Sequence, residues 1–202
     1  LPPHVGAARV LLVPTQERGT GVTTEQELIE FVTAQRWFGS KSRDAIHARV
    51  RQVIDDVDPD LGRTAARPVR IAAHSLGGVI AVDMATATRP LWTESLVTFG
   101  SQAAFFHICD PRGGQLTPYG GSVRVRLPAS LSRWTNLWEP MDVLAFAASK
   151  VFQLHDGTAP VDLPVSHRAS TGVWTHSAYW SLPHVASVIG DVMSRDHPTE
   201  AP

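Results

Sequence analysis

The chain has 202 residues, of which 43% are hydrophobic and 18% are charged, a balance typical of a folded protein with a sizeable core. Its formal net charge of −1 gives no bulk electrostatic attraction to nucleic acid, and we expect no nucleic-acid partner. No apolar run approaches the roughly 18 residues that a membrane-spanning helix needs, so we expect no transmembrane segment.

The cysteine and histidine content argues against disulfides and metal sites. Cys109 is the only cysteine, which leaves no partner within this sequence for a disulfide and no cysteine-based zinc site. The histidines show neither His-x-x-x-His nor His-Glu-x-x-His spacing, so we expect no metal and no cofactor. The lack of disulfides is compatible with a reducing compartment, and we expect a cytoplasmic location.

The hydrophobic pattern predicts strands and helices that alternate along the chain. Residues Arg9–Pro14 (RVLLVP) form a short apolar run typical of a buried strand. Thr24 and Glu27 have capping-box spacing at the start of one helix, and a second helix is predicted to begin after Ser42. A surface loop is predicted over 55–68. Further strands are predicted over 69–73, 96–99, 122–127, 134–138 and 161–165, with helices over 78–87 and 185–193.

This order of elements favours an α/β fold. Strands separated by helices or by long crossovers predict a mostly parallel sheet with helices on both of its faces. We expect one domain over residues 1–202, with a frayed tail over 196–202. Two alternatives stay open for the N-terminal edge of the sheet: the strand at Arg9–Pro14 completes it, or further strands lie upstream of Leu1.

The segment at 69–83 (VRIAAHSLGGVIAVD) contains the strongest functional motif. Its centre, AHSLG, has the form small-x-Ser-x-Gly and lies between a predicted strand and a predicted helix. A nucleophile elbow requires this context, because the chain turns so sharply at the serine that only small residues fit two positions away. Ala73 and Gly77 are those residues, and the turn would present Ser75 at the start of the helix. There the helix amides favour developing negative charge, and the Leu76 amide is a candidate oxyanion donor.

The alternative interpretation is a plain strand-to-helix turn in which Ser75 only caps the helix. A bare small-x-Ser-x-Gly match is common by chance. The preceding strand, the second glycine at Gly78 and the small side chains of the following helix favour the nucleophile.

With this elbow the chain resembles α/β-hydrolases of the lipase and esterase type, in which AHSLGG is a common form of the motif. The resemblance continues through LVTFGSQ (96–102), similar to the strand that follows the elbow helix. NLWEPMDVLAF (136–146) is similar to the segment with the catalytic acid, and WTHSAYW (174–180) to the segment with the catalytic histidine. The resemblance covers roughly residues 69–190. It implies an α/β-hydrolase fold and a serine hydrolase that acts on carboxylic esters.

The resemblance also implies the chain order Ser, then Asp or Glu, then His. Asp142 follows a predicted strand after a short turn and is the implied acid, with Glu139 as its nearest rival. His176 lies in a predicted loop before the C-terminal helix and is the implied base, with His167 as second choice. In the implied mechanism Ser75 attacks an ester while the histidine takes its proton, and water later hydrolyses the acyl-enzyme.

The second oxyanion donor is harder to place. In the family it comes from a His-Gly type loop after an early strand, and this sequence has no His-Gly pair. The loop after the first predicted strand is one candidate, with Thr15 or Gln16 near its start, and a donor upstream of Leu1 is the other.

The expected substrate is a small-molecule or lipid ester, an inference at the level of the family. Two other functions stay open. One is a thioesterase or acyltransferase with the same triad, and the other is a non-catalytic α/β-hydrolase-like binding domain. Nothing in the sequence indicates the oligomeric state.

Overall fold

A computed structural model describes residues 9–12, 41–110, 115–165 and 173–194. Its strands are β1 (Arg9–Leu12), β2 (Val69–His74), β3 (Thr93–Phe99), β4 (Val125–Arg126), β5 (Leu131–Trp138), β6 (Phe152–Gln153) and β7 (Val161–Pro164). Its helices are α1 (Lys41–Val57), α2 (Leu76–Ala85), α3 (Ala103–Cys109), α4 (Val173–Ala178) and α5 (Pro183–Ser194), with a 3-10 helix over Tyr179–Ser181 between the last two.

The main sheet has five strands in the order β1-β2-β3-β5-β7, and every neighbouring pair is parallel. The pairings His74 with Phe99 and Phe99 with Leu137 align the carboxyl ends of β2, β3 and β5 at one edge. The short strands β4 and β6 form a separate two-stranded parallel sheet. The predicted α/β class with a mostly parallel sheet is confirmed for the described residues.

Both faces of the sheet are covered, which explains why β2 and β3 are buried along their whole length. Ile71 and Ala73 of β2 belong to a core that also contains buried residues of α1, α2 and α3. Ala72, between them, faces the opposite side with Val97 and residues of α5. Alternate side chains of a strand point to opposite faces, so a strand between two helical layers is apolar on both. Each fully buried aliphatic side chain contributes roughly 1.5–3 kcal/mol to this arrangement.

Several predicted boundaries differ from the observed ones. The helix predicted after Ser42 begins at Lys41 and extends to Val57, because Ile54 in its last turns packs into the core, so the predicted loop at 55–68 begins later. The strand predicted over 122–127 is only Val125–Arg126 and lies outside the main sheet. The helix predicted at Thr24 and the tail over 196–202 lie outside the described residues.

Among the helices of the described ranges, none is both long and apolar enough to cross a membrane.

Candidate active site

Ser75 is the single residue between the end of β2 and the start of α2. Its backbone has φ 55° and ψ −127°, and within the described ranges no other non-glycine residue has a positive φ. Such a conformation costs on the order of 1–3 kcal/mol and persists only where the surroundings enforce it. Two backbone hydrogen bonds do so here: Ser75 N–H donates to Phe99 O at 3.0 Å, and Gly78 N–H donates to Ser75 O at 3.0 Å.

Close packing explains Gly78, the second glycine of the elbow. A Cβ on Gly78 would lie 2.2 Å from Ser101 Oγ and 3.0 Å from Thr98 Cγ2, so α2 approaches the end of β3 more closely than any side chain would permit. Ser75 occupies the N-cap position of α2, yet its side chain makes no capping hydrogen bond. The side chain is therefore directed elsewhere, and the interpretation of Ser75 as a plain helix cap is not supported.

The Ser75 side chain ends a chain of hydrogen bonds that begins at Asp142. His176 Nε2 lies 2.7 Å from Ser75 Oγ, and His176 Nδ1 lies 2.9 Å from Asp142 Oδ2. Because an ionised carboxylate only accepts, Nδ1 carries the ring proton and Nε2 is left to accept the hydroxyl proton of Ser75. The three side chains come from points up to 101 residues apart, and Ser75 and Asp142 are almost fully buried.

Asp142 lies in the turn after β5, as the sequence predicted. Its amide donates to Glu139 O at 2.9 Å, and its Oδ1 accepts the Leu144 amide at 3.0 Å, which leaves Oδ2 for the histidine. Glu139, the rival acid, is also buried, but its Oε1 accepts the Met141 amide at 3.3 Å. The structure thus brings Asp142, and not Glu139, to His176.

His176 lies on α4 and not in the loop that the sequence predicted. Thr175 and Tyr179 are fully buried and four residues apart, so they lie on the same face of this short helical segment, and that face packs against the core. Six residues are too few for the periodicity that identifies longer helices. The predicted loop at His176 was therefore wrong, but the predicted contact of its side chain with Ser75 is present in the structure.

Gly100, at the turn after β3, permits the histidine to approach. Its φ of 61° favours glycine, and a Cβ there would lie 3.1 Å from His176 Cε1 and 2.9 Å from Tyr179 Cε2. Any larger residue would displace the imidazole from Ser75. The sequence did not predict this role, although a glycine directly after a buried strand is a usable signal.

His74, the residue before Ser75, packs against the imidazole of His176. Its ring lies 4.9 Å from that of His176 between centroids, and its Nε2 lies 3.0 Å from His176 O, to which it donates. Burial, followed by the positive charge that His176 can carry, lowers the pKa of His74 to about 4. His74 is therefore neutral near pH 7 and adds no repulsion when its neighbour becomes protonated.

Tyr179 fixes the turn that bears the acid. Its hydroxyl accepts the Glu139 amide at 2.9 Å, and it also interacts with the Asp142 carboxylate. Burial first, and then the negative charge of Asp142, raise the pKa of the phenol well above its usual value. Tyr179 therefore stays a neutral hydrogen-bonding group beside the acid.

The electrostatic surroundings of Ser75 Oγ include two further groups. Leu76 is the first residue of α2, and the amides of a first helical turn have no acceptor within the helix. Gln102 Nε2 lies 3.2 Å from Ser75 Oγ, a contact that was not predicted, although Gln102 ends the segment LVTFGSQ. The other predicted oxyanion residues, Thr15 and Gln16, and the alternative base His167 lie outside the described residues.

The sequence matches no protein-family model, and no curated protein is similar to it at a significant level. The assignment of a chemistry to this site therefore depends on the geometry of its residues.

Proposed function

We propose that the protein is a serine hydrolase of the α/β-hydrolase type that cleaves carboxylic esters through an acyl-enzyme on Ser75. The observation that carries this proposal is the unbroken hydrogen-bond chain from Asp142 through His176 to Ser75 at a strained strand-to-helix turn. A serine is a weak nucleophile without a base, and a base needs an orienting carboxylate. Strained backbone of this kind is concentrated at functional sites.

In the first step the hydroxyl proton passes from Ser75 Oγ to His176 Nε2 while Oγ forms a bond to the ester carbonyl carbon. The electron pair of the carbonyl π bond moves to its oxygen, and the imidazolium is stabilised by Asp142. The tetrahedral intermediate then collapses, and the alcohol departs with the proton that His176 returns. The product is an ester between the substrate's acyl group and Ser75.

In the second step a water molecule gives its proton to His176 and attacks the acyl carbon. The second tetrahedral intermediate collapses with Ser75 Oγ as the leaving group, which regains its proton from His176 Nε2. A carboxylic acid leaves, and the enzyme returns to its initial state.

The oxyanion of both intermediates needs hydrogen-bond donors. The Leu76 amide at the start of α2 is one, and the macrodipole of that helix favours negative charge there. The second donor is proposed to follow β1, at Thr15 or Gln16. Leu12, the last residue of β1, is paired with Ala73, so the chain leaves β1 at the same edge of the sheet as Ser75.

The test is reaction with a fluorophosphonate probe and turnover of 4-nitrophenyl acetate. We expect the unaltered protein to react with both, and Ser75→Ala to lose labelling and at least about 10⁴-fold of kcat. His176→Ala is expected to behave similarly. Ser181→Ala is the matched control, because this exposed hydroxyl, two residues after Tyr179, bonds only to Ala178 O, at 2.9 Å, among the described contacts.

Undiminished labelling of a folded Ser75→Ala variant would contradict the assignment of the nucleophile. If the unaltered protein is folded and inert towards several esters and thioesters, the proposal that it is an enzyme would be contradicted. A non-catalytic binding domain would then be favoured. Acyl transfer to an alcohol acceptor that outpaces hydrolysis would replace the hydrolase with an acyltransferase on the same triad.

A further inference from the structure

Gln102 is a buried residue whose side chain is directed at the reacting oxygen. It is 1% exposed, and its Nε2 lies 3.2 Å from Ser75 Oγ. It occupies the N-cap position of α3 but does not cap that helix with its side chain. The hydroxyl of Ser101 instead accepts a hydrogen bond from the Ala103 amide, at 3.2 Å, so this first amide of α3 has a partner without Gln102.

The direction of the contact follows from the protons available. Ser75 has one hydroxyl proton, and the 2.7 Å contact with His176 Nε2 uses it. The group of Gln102 that faces Ser75 Oγ must therefore donate, which selects the Nε2 amide and excludes the flipped side chain. A flipped amide would place its oxygen against an oxygen that has no proton left to donate.

This orientation is costly for the fold. Within the described ranges, Gln102 Oε1 is buried and has no hydrogen-bond partner. A buried polar atom without a partner costs on the order of 1–3 kcal/mol. An apolar side chain of similar length would avoid that cost, so stability alone does not explain a glutamine here. Violations of this kind are expected where a residue serves function.

We propose that Gln102 is a further catalytic residue, whose amide donates a hydrogen bond to Ser75 Oγ while negative charge develops on that oxygen. This inference rests on the proposed serine hydrolase function. In acylation the O–H bond of Ser75 breaks, its proton moves to His176 Nε2, and the released electron pair forms the bond from Oγ to carbon. A donor already in place lowers the energy of the partly deprotonated oxygen without reorganisation.

The same hydrogen bond acts in the reverse sense during deacylation. When the second tetrahedral intermediate collapses, the bond from carbon to Ser75 Oγ breaks and its electron pair returns to Oγ. The oxygen carries negative charge until His176 Nε2 delivers the proton. In the acyl-enzyme itself Oγ is a weakly accepting ester oxygen, so the Gln102 bond is stronger in the transition states than in the intermediate between them. A stronger interaction in the transition state is what accelerates a step.

The experiment replaces the donor and measures both steps. Gln102→Met keeps the length of the side chain and removes the donor, and Gln102→Leu is a second donor-free variant with a different shape. We expect each to slow fluorophosphonate labelling of Ser75 by roughly 10-fold to 100-fold, because the donor acts on partial charge. The deacylation rate after the burst with 4-nitrophenyl acetate should fall similarly, and KM should change little. Gln52→Met, at an exposed glutamine on α1, is the matched control.

The unaltered protein separates this proposal from the one on which it rests. If the unaltered protein fails to label, the serine hydrolase function is wrong and so is this inference. If it labels, and either folded variant labels and deacylates at the unaltered rate, the role of Gln102 is wrong while the hydrolase stands. Loss of folding in both variants would make Gln102 a structural residue and overturn the inference as well.

Discussion

At the scale of single residues, the site places three constraints on the few positions around one serine oxygen. Ser75 has a backbone conformation that an ordinary turn avoids, Gly100 has no side chain where the imidazole must approach, and Gln102 is a buried amide with an unsatisfied oxygen. Gln102 Nε2 lies 3.2 Å from Ser75 Oγ, and a Cβ on Gly100 would lie 3.1 Å from the imidazole that contacts the same oxygen. Strained backbone and unsatisfied buried polar atoms are found most often at functional sites.

His74 should make stability depend on pH. Its pKa is lowered from 6.5 to about 4 in the folded protein, so between these values the unfolded chain binds more protons than the folded one. Its contribution is therefore complete above about pH 6.5 and is lost as pH falls towards 4. The shift corresponds to a loss of roughly 3 kcal/mol in the free energy of unfolding. Urea unfolding followed at intervals from pH 7.5 to 4 measures this slope.

The variant His74→Gln isolates the effect, because the glutamine amide can still donate to His176 O but does not titrate. We expect a shallower decline of stability with acidification than in the unaltered protein. His184→Gln, at an exposed histidine on α5, is the matched control. An unchanged slope in His74→Gln would show that His74 is not the group that titrates.

At the scale of elements, the sequence predicts buried strands and helices best, because burial on a strand or helix gives a regular pattern of apolar residues. The strands β2 and β3 and the helix α2 are apolar runs between recognisable turns, and their cores were predicted correctly. The helices α3 and α4 were missed because each is shorter than two full hydrophobic periods and is stabilised by tertiary packing. The chain order of the site residues carried more information than local periodicity, which is why His176 was selected despite the wrong local structure.

The close contact between α2 and the end of β3 depends on Gly78, which has no Cβ. Gly78→Ala should destabilise the protein by about 1–3 kcal/mol, because the new Cβ would overlap Ser101 Oγ and Cβ, at 2.2 and 2.8 Å. The displaced elbow should also reduce fluorophosphonate labelling. Thermal and urea unfolding measure the first effect, and labelling kinetics measure the second.

Gly190→Ala is the matched control for that substitution. Gly190 lies on the exposed side of α5, and a Cβ there would meet no atom within 4 Å. Alanine at this position should stabilise the helix by roughly 0.5–1 kcal/mol. Equal effects of the two substitutions would show that helix propensity, and not the close approach of α2 to β3, determines the result at Gly78.

At the scale of the whole molecule, the site exists only because a parallel sheet aligns chain segments that are distant in sequence. The turns after β2, β3 and β5 supply Ser75, Gln102 and Asp142 at one edge, and α4 brings His176 to them. From the sequence, the resemblance to α/β-hydrolases implied the order and identity of Ser75, Asp142 and His176, the three side chains that the structure brings together. The hydrogen bonds of His74, Tyr179 and Gln102 could not be predicted, since they depend on the angles at which elements meet.

A buried ion pair between Arg43 and Asp83 joins α1 to α2, the helix that follows Ser75. Asp83 on α2 is fully buried, and Arg43 binds both of its oxygens, at 2.6 and 2.7 Å. His47 Nε2 lies 3.1 Å from the same carboxylate. Arg43→Met removes the charge that neutralises Asp83 most directly. We expect a loss of ~3 kcal/mol in the free energy of unfolding, because a buried carboxylate without its main partner is poorly solvated.

The double variant Arg43→Met with Asp83→Leu should be more stable than Arg43→Met alone, because it removes both the buried charge and the need for a partner. Arg49→Met, at an exposed arginine on the same helix, should change stability by less than about 0.5 kcal/mol.

Urea unfolding of the four proteins of the cycle, with Asp83→Leu as the fourth, measures the coupling. Additive losses would mean that the pair does not couple α1 to α2. Losses that are not additive would show that the pair couples α1 to α2. If the double variant also keeps its fluorophosphonate labelling, the ion pair contributes to stability and not to the reaction of Ser75.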